Sequence, residues 1–139
     1  MREILFRGKD FSGVINHYWC FGSLDTIEND RTIIIYSDRF GNKCRIIVDP
    51  STIGEYTGFK DKHGKMIFEG DIVKYTQKYE LSGNVVMVGT VKWSECYAGW
   101  CVTNFTNGLA DRFLTNAQCR IEVIGNKFDN PELLRSDTE

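Results

Sequence analysis

Helical periodicity is nearly missing from this sequence, for no stretch before the last ten residues repeats its apolar side chains every three to four positions. That excludes a helical bundle and directs attention to strands. Proline is scarce, with Pro50 and Pro131 alone in 139 residues, so each reads as punctuation. No apolar run approaches the roughly 20 residues of a spanning helix. The opening MREILFRGKD is charged throughout and has no segment of signal-peptide kind. A cytoplasmic chain with no membrane partner is expected. Charge of one sign is also lacking: the formal net charge is −2. Without a global positive field, any contact with nucleic acid needs a local basic patch.

Chemistry-bearing constellations are equally sparse. Five cysteines, Cys20, Cys44, Cys96, Cys101 and Cys119, make an odd count that does not suit a disulfide framework. They are expected to be free and mostly buried, behaving as small hydrophobes. The spacings HYWC and CYAGWC lack the tight pairing of a zinc knuckle, so no metal and no cofactor is implied. Only His17 and His63 are available as imidazole bases. His17 shares a strand face with Ile15, Trp19 and Phe21 and reads as a core or edge histidine; His63 sits in a turn. No nucleophile elbow, Walker loop, HExxH or dinucleotide fingerprint occurs.

What is present is a globular composition leaning toward β structure, with 42% hydrophobic and 13% aromatic residues. A chain of this length should bury roughly 70% of its unfolded surface. Short β-branched and aromatic runs, EILFR, VINHYWCF, TIIIY and CRIIV, predict a first set of strands over residues 3–48. A second set is predicted in IVKYTQ, NVVMVGTVKW, WCVTNF and CRIEVIG. VVMV does not alternate, which predicts a central strand covered on both sides, whereas CRIEVI alternates as a strand with one wet face. Asp49 and Pro50 mark a seam. Asn130, Pro131 and Glu132 have the order of a cap and a first helical turn, so PELL is expected to be a short C-terminal helical turn.

Residues 51–75 carry the most information. In DKHGK, Gly64 suits the positive φ of a tight reversal and Asp61 can accept hydrogen bonds from the turn amides. In EGDIV, Gly70 allows a kink, Asp71 can cap exposed amides, and Ile72 and Val73 begin a ladder. Glu69 and Asp71, two residues apart, are alternatively a carboxylate pair for acid–base work, their Cα atoms separated by roughly 6.5 Å along a strand. Turn chemistry accounts for both acids without it.

The stretch YTGFKDKHGKMIFEGDIV resembles the hallmark of the YopX family, which carries a similar succession of YTG, DKxGK and EGDIV. REILFRG and IEVIGNKFDNPELL resemble the ends of that family. The residues that carry the middle motif are Tyr56, Thr57, Gly58, Asp61, Gly64, Lys65, Glu69, Gly70, Asp71, Ile72 and Val73; His63 stands where the family more often has Asn. The resemblance implies an all-β protein of phages and prophages with no established biochemical role. It further implies a N-terminal β region over 1–55, an SH3-like barrel over 56–128 and a C-terminal turn and tail over 129–139.

Two functions of different class follow as expectations. The first is a non-enzymatic interaction or accessory protein, with an unknown protein partner or its own copies on strand edges rich in Tyr and Trp. The second is a nucleic-acid module in which Lys74, Lys78 and Lys92, each followed by an aromatic, form a charged stacking platform. Neighbours on a strand point to opposite faces, so each lysine should part from its aromatic. An enzyme using Glu69 and Asp71 is a third and weaker reading.

Overall fold

The computed structural model describes residues 3–11, 18–27, 31–115 and 117–135. His17 and the first half of the expected strand VINHYWCF lie outside the described residues, as does the tail 136–139. The chain divides into two compact units, Met1–Tyr56 and Thr57–Glu139.

In the first unit, β1 (Phe6–Lys9), β2 (Trp19–Ile27), β3 (Arg31–Ser37) and β4 (Lys43–Ile47) pair antiparallel in the order β4-β3-β2-β1. β5 (Gly54–Lys60) joins the free side of β1 through Phe6↔Glu55 and Arg7↔Gly54. The isoleucine run in β3 is β-branched and packs on both faces: the consecutive Ile33 and Ile34 are 2% and 0% exposed. The sheet curls on itself, because Asp10 bridges to Val48 and the Phe11 N–H reaches the Ile47 carbonyl at 3.0 Å. Gly22 sits where the curl is tight; a Cβ there would lie 2.1 Å from the Ile35 carbonyl oxygen, so no other residue fits. After β4, Asp49 accepts the Ser51 N–H and caps a 3-10 turn, Pro50–Thr52.

β5 runs on into the second unit, where β6 (Met66–Phe68) lies beside it. There β7 (Asp71–Tyr79), β8 (Gly83–Ser94), β9 (Gly99–Thr103), β10 (Arg112–Phe113) and β11 (Ile121–Asn126) form an antiparallel sheet in the order β10-β9-β8-β7-β11. One helical turn, α1 (Ala117–Arg120), precedes β11. Alternate residues of the sheet, among them Val73, Tyr75, Met87, Val91, Trp100, Val102 and Ile121, bury one face, with Phe105, Leu114 and Ala117 completing the core.

The protein is thus mainly β with two antiparallel sheets, and several details depart from the sequence reading. The second sheet is not a closed barrel: among the described residues its end strands β10 and β11 do not pair with one another. β8 is central, yet its outer face is open at Val86, which is 57% exposed while Met87 is buried. Apolar content hid an alternation that shape alone imposes. CRIEVIG is strand only from Ile121 on, because α1 takes in Cys119 and Arg120 and leaves Cys119 exposed. All five cysteines are free thiols, but only Cys101 is buried; Cys96 falls in the β8–β9 hairpin loop, Cys119 in α1, and Cys20 and Cys44 are half-buried. Pro131–Leu134 is a 3-10 turn, but Asn130 does not cap it, since its Oδ1 accepts the Asn126 N–H instead.

The β8–β9 hairpin turns through Ser94–Gly99 with Ala98 at φ +48, in the left-handed region. A Cβ is disfavoured there. Ala98→Gly is expected to raise stability by about 1 kcal/mol, read as a higher urea midpoint with unchanged slope; an unchanged or lower midpoint would show that the turn relaxes at no cost.

Candidate functional site

Two turns in the chain share one construction. In Asp38-Arg39-Phe40-Gly41-Asn42, the Asp38 Oδ1 accepts the N–H groups of Phe40 and Asn42, both at 2.9 Å, while Gly41 at φ +82 donates to the Asp38 carbonyl. In Asp61-Lys62-His63-Gly64-Lys65, the Asp61 Oδ1 accepts from His63 and Lys65 at 2.9 Å, and Gly64 at φ +78 donates to the Asp61 carbonyl. Asp61 has a further partner. Its Oδ2 accepts the Val123 N–H of β11 at 2.9 Å, and the Lys62 N–H reaches the Ile121 carbonyl at 2.9 Å. The turn therefore covers the outer edge of β11 with one donor and one acceptor, the hydrogen bonds that an open edge would offer another chain.

Electrostatics follow from that geometry. Burial pushes the Asp61 carboxyl up, but the N–H groups of Val123, Lys65 and His63 more than offset it and hold it below the ordinary carboxylate range. Beside it, Lys62 bonds Glu122 at 3.2 Å and holds that carboxyl low too, with the His63 Nε2 at 3.7 Å.

The remaining motif residues serve the same scaffold. Thr57 donates its hydroxyl to the Ile67 carbonyl at 2.8 Å, and Gly58 takes φ +87 in β5. Tyr56 is buried, and burial, then Glu3, push its hydroxyl pKa up. Gly70, at φ +91, donates to the Val91 carbonyl and accepts from Lys127. Asp71 is 2% exposed and its Oδ2 accepts the Phe68 N–H at 2.8 Å, closing the turn at the half-buried Glu69. Ile72 and Val73 are both fully buried.

Lys74 and Lys78 come together on the outward face of the second sheet, and Lys92 shares that face further along β8. Residues opposite one another in an antiparallel pair share a face. Lys74 lies opposite Val88, Thr76 opposite Val86 and Lys78 opposite Asn84, while Lys92 lies opposite Cys101. All three lysines are exposed; Lys74 and Lys78 flank the open Val86, whereas Lys92 lies six residues further along β8, beyond the buried Thr90. Their aromatic neighbours do not join them: Tyr75 is 5% exposed, Trp93 packs on the core edge-on to Trp100, and only Tyr79, at the strand end, is open. Lys92 also rims a shallow polar cavity of about 320 Å³ with Glu95 and Asp111.

The sequence model of the family described as YopX protein matches residues 5–135. The chain belongs to the YopX family. Among solved structures, the crystal structure of protein EF1440 from Enterococcus faecalis superposes with a TM-score of 0.51 at 21% identity, over 97% of this chain and 100% of that one, a likeness of fold alone. No curated protein matches.

In this YopX chain, then, the family motif builds turns and guards an edge, and the lysines mark a separate open face. Among the described residues no cluster of three His, Cys, Asp or Glu side chains is placed to hold a metal, and no helix is long and apolar enough to cross a membrane. Sequence reasoning missed Val86 and missed Arg112 and Arg120, whose guanidinium groups converge on Gln77 from strand and turn positions 35 and 43 residues further along the chain. Only the pairing register could have exposed them.

The shared turns give an internal control. Asp61→Ala strips three charge-assisted bonds and bares an edge amide, at a cost of about 3 kcal/mol; Asp38→Ala, lacking the cross-strand bond, is expected to cost distinctly less. Because the folded pKa of Asp61 is lowered, its contribution is complete above the unfolded carboxylate value near ~4 and fades as pH falls through the folded one. Urea midpoints of wild type and Asp61→Ala should therefore differ by a constant amount at neutral pH and draw together in acid. Equal losses for the two aspartates, or a gap that widens in acid, would refute the latch.

Proposed function

We propose that this chain is a non-enzymatic accessory protein, of the phage and prophage kind that its family resemblance implies, which docks a protein partner on the outward face of its second sheet. The observation that carries the reading is Val86, 57% exposed on a central strand and flanked by Lys74 and Lys78 across β7. An apolar strip with a basic rim suits a partner that presents apolar side chains flanked by acids. Tyr97 and Phe113, edge to face with centroids 5.4 Å apart and both open, add an aromatic anchor near Lys92. SH3-like character of the second unit is part of this reading, supported by five antiparallel strands that share one core containing Tyr75, Trp100 and Phe105.

A single-stranded nucleic acid is the competing occupant, favoured by the three lysines. Base stacking needs open ring faces. Tyr75 and Trp93 are turned to the core, so the charge is present without its platform. The non-enzymatic half of the reading is supported by Asp71, whose buried carboxylate accepts the Phe68 amide and closes a turn.

The test is surface plasmon resonance on the full chain with two probes, an extended peptide of alternating Glu and Val and a thymidine 15-mer, across a salt series. The peptide is expected to bind, and the double variant Lys78→Glu, Val86→Asp to weaken it by about tenfold or more with the thermal midpoint retained. Peptide binding that ignores both substitutions overturns the proposal. Oligonucleotide binding with a steep negative salt slope, lost in Lys74→Gln with Lys78→Gln, transfers the face to nucleic acid.

A further inference from the structure

On the core side of the second sheet, beyond Tyr75, the chain builds a positively charged point that no carboxylate among the described residues pairs with. Gln77 follows Tyr75 by two positions on β7 and so points to the same side. Arg112 of β10 stands opposite Val102, a core residue, and Arg120 ends α1 one position before the buried Ile121. Sheet order would keep β10 and β7 apart, with β9 and β8 between them. Their long side chains nevertheless meet, because the Nη1 atoms of Arg112 and Arg120 each lie 3.4 Å from the Gln77 Oε1. The amide is oriented for this, since its Nε2 donates to the Lys78 carbonyl at 3.4 Å and leaves the oxygen to the arginines.

Two guanidinium groups on one neutral oxygen are under-compensated. Each carries five N–H donors and a fixed positive charge. Among the described residues neither has a carboxylate within ion-pair distance, and both are half-buried, where like charges repel more strongly than in water. Lys62, by contrast, has Glu122. We propose that Arg112 and Arg120 form an oxyanion site with Gln77 at its centre, and that its ligand is a phosphate group. Guanidinium geometry matches the paired oxygens of phosphate, and two forks that spend one donor each on a single acceptor retain further donors for a ligand. The site stands on the side of the sheet opposite Lys74 and Lys78 and does not depend on the docking face.

The test is differential scanning fluorimetry of the full chain with inorganic phosphate, with uridine monophosphate, and with sodium chloride matched in ionic strength. Phosphate at about ten times its dissociation constant is expected to raise the thermal midpoint by roughly 3–5 °C over the chloride control. A larger response to the nucleotide at equal concentration assigns the site to a phosphate ester; an equal response assigns it to free phosphate. Gln77→Glu supplies a near-isosteric internal counter-ion. That variant is expected to melt higher than wild type without ligand and to lose the phosphate response, an outcome that loss of folding cannot imitate. Arg112→Gln should lose the response as well. A phosphate shift no greater than that of chloride, or one that persists in Gln77→Glu, overturns the proposal.

Discussion

Asp61 uses its two carboxylate oxygens in different directions, and the second unit depends on that division. One oxygen closes the local turn through His63 and Lys65; the other crosses to Val123 in β11. A carboxylate buried this deeply is tolerable only because three N–H groups replace its water. The reverse holds as well, since the outermost strand would otherwise present a bare amide at its edge. Local turn and distant strand are each stabilised by the same ion, which makes their formation mutually conditional. β11 in turn fixes β7, pairing Ile121 with Tyr75 and Glu122 with Lys74 until a bulge between Val123 and Gly125. That register decides which side chains of β7 face the core.

From the register, the outward face follows without further assumption. Tyr75 inward requires Lys74 outward, and eight consecutive pairs between β7 and β8 carry the same parity to Val86 and Val88. A slip by one residue would bury Lys74 and Lys78 and expose Tyr75 and Met87. The energetic penalty of such an inversion is what holds the lysines in place, rather than any ion pair of their own. Glu122, opposite Lys74, is already bonded to Lys62. The basic character of the face is therefore a by-product of a well-specified core on the other side.

Legibility in the sequence tracked distance along the chain. Turn chemistry was readable because Asp61, His63, Gly64 and Lys65 are neighbours and their roles follow from φ and amide geometry. The bond to Val123, 62 residues away, leaves no local trace. Strands were readable from Ile, Val and Tyr content, but the exposure of Val86 was not, because VVMV supplies apolar residues to both faces and composition alone cannot say which is covered. Asn130 failed as a cap for a similar reason: the expected local bond lost to one closing the loop back to Asn126. The likeness between Asp38-Arg39-Phe40-Gly41-Asn42 and Asp61-Lys62-His63-Gly64-Lys65 was available in the letters, yet only hydrogen bonding shows that the same turn was used twice and reached outward once.

Charge in the second unit is sorted by side-chain type. On the outward face stand lysines, whose strongly hydrated ammonium groups favour exposed positions and whose flexible stems flank the apolar Val86. At the core end stand arginines, whose weakly hydrated planar groups tolerate half-burial and can share one acceptor in a fixed geometry. A merely solubilising distribution has no reason to make that distinction, and least of all to bring two arginines together with no ion-paired carboxylate among the described residues. Half-burial raises the energetic consequence of an unmatched pair, so the arrangement costs stability in the isolated chain. Such a cost is relieved by an anion that arrives from outside, and the neutrality of Gln77, where a glutamate would fit the same space, keeps the position open for it.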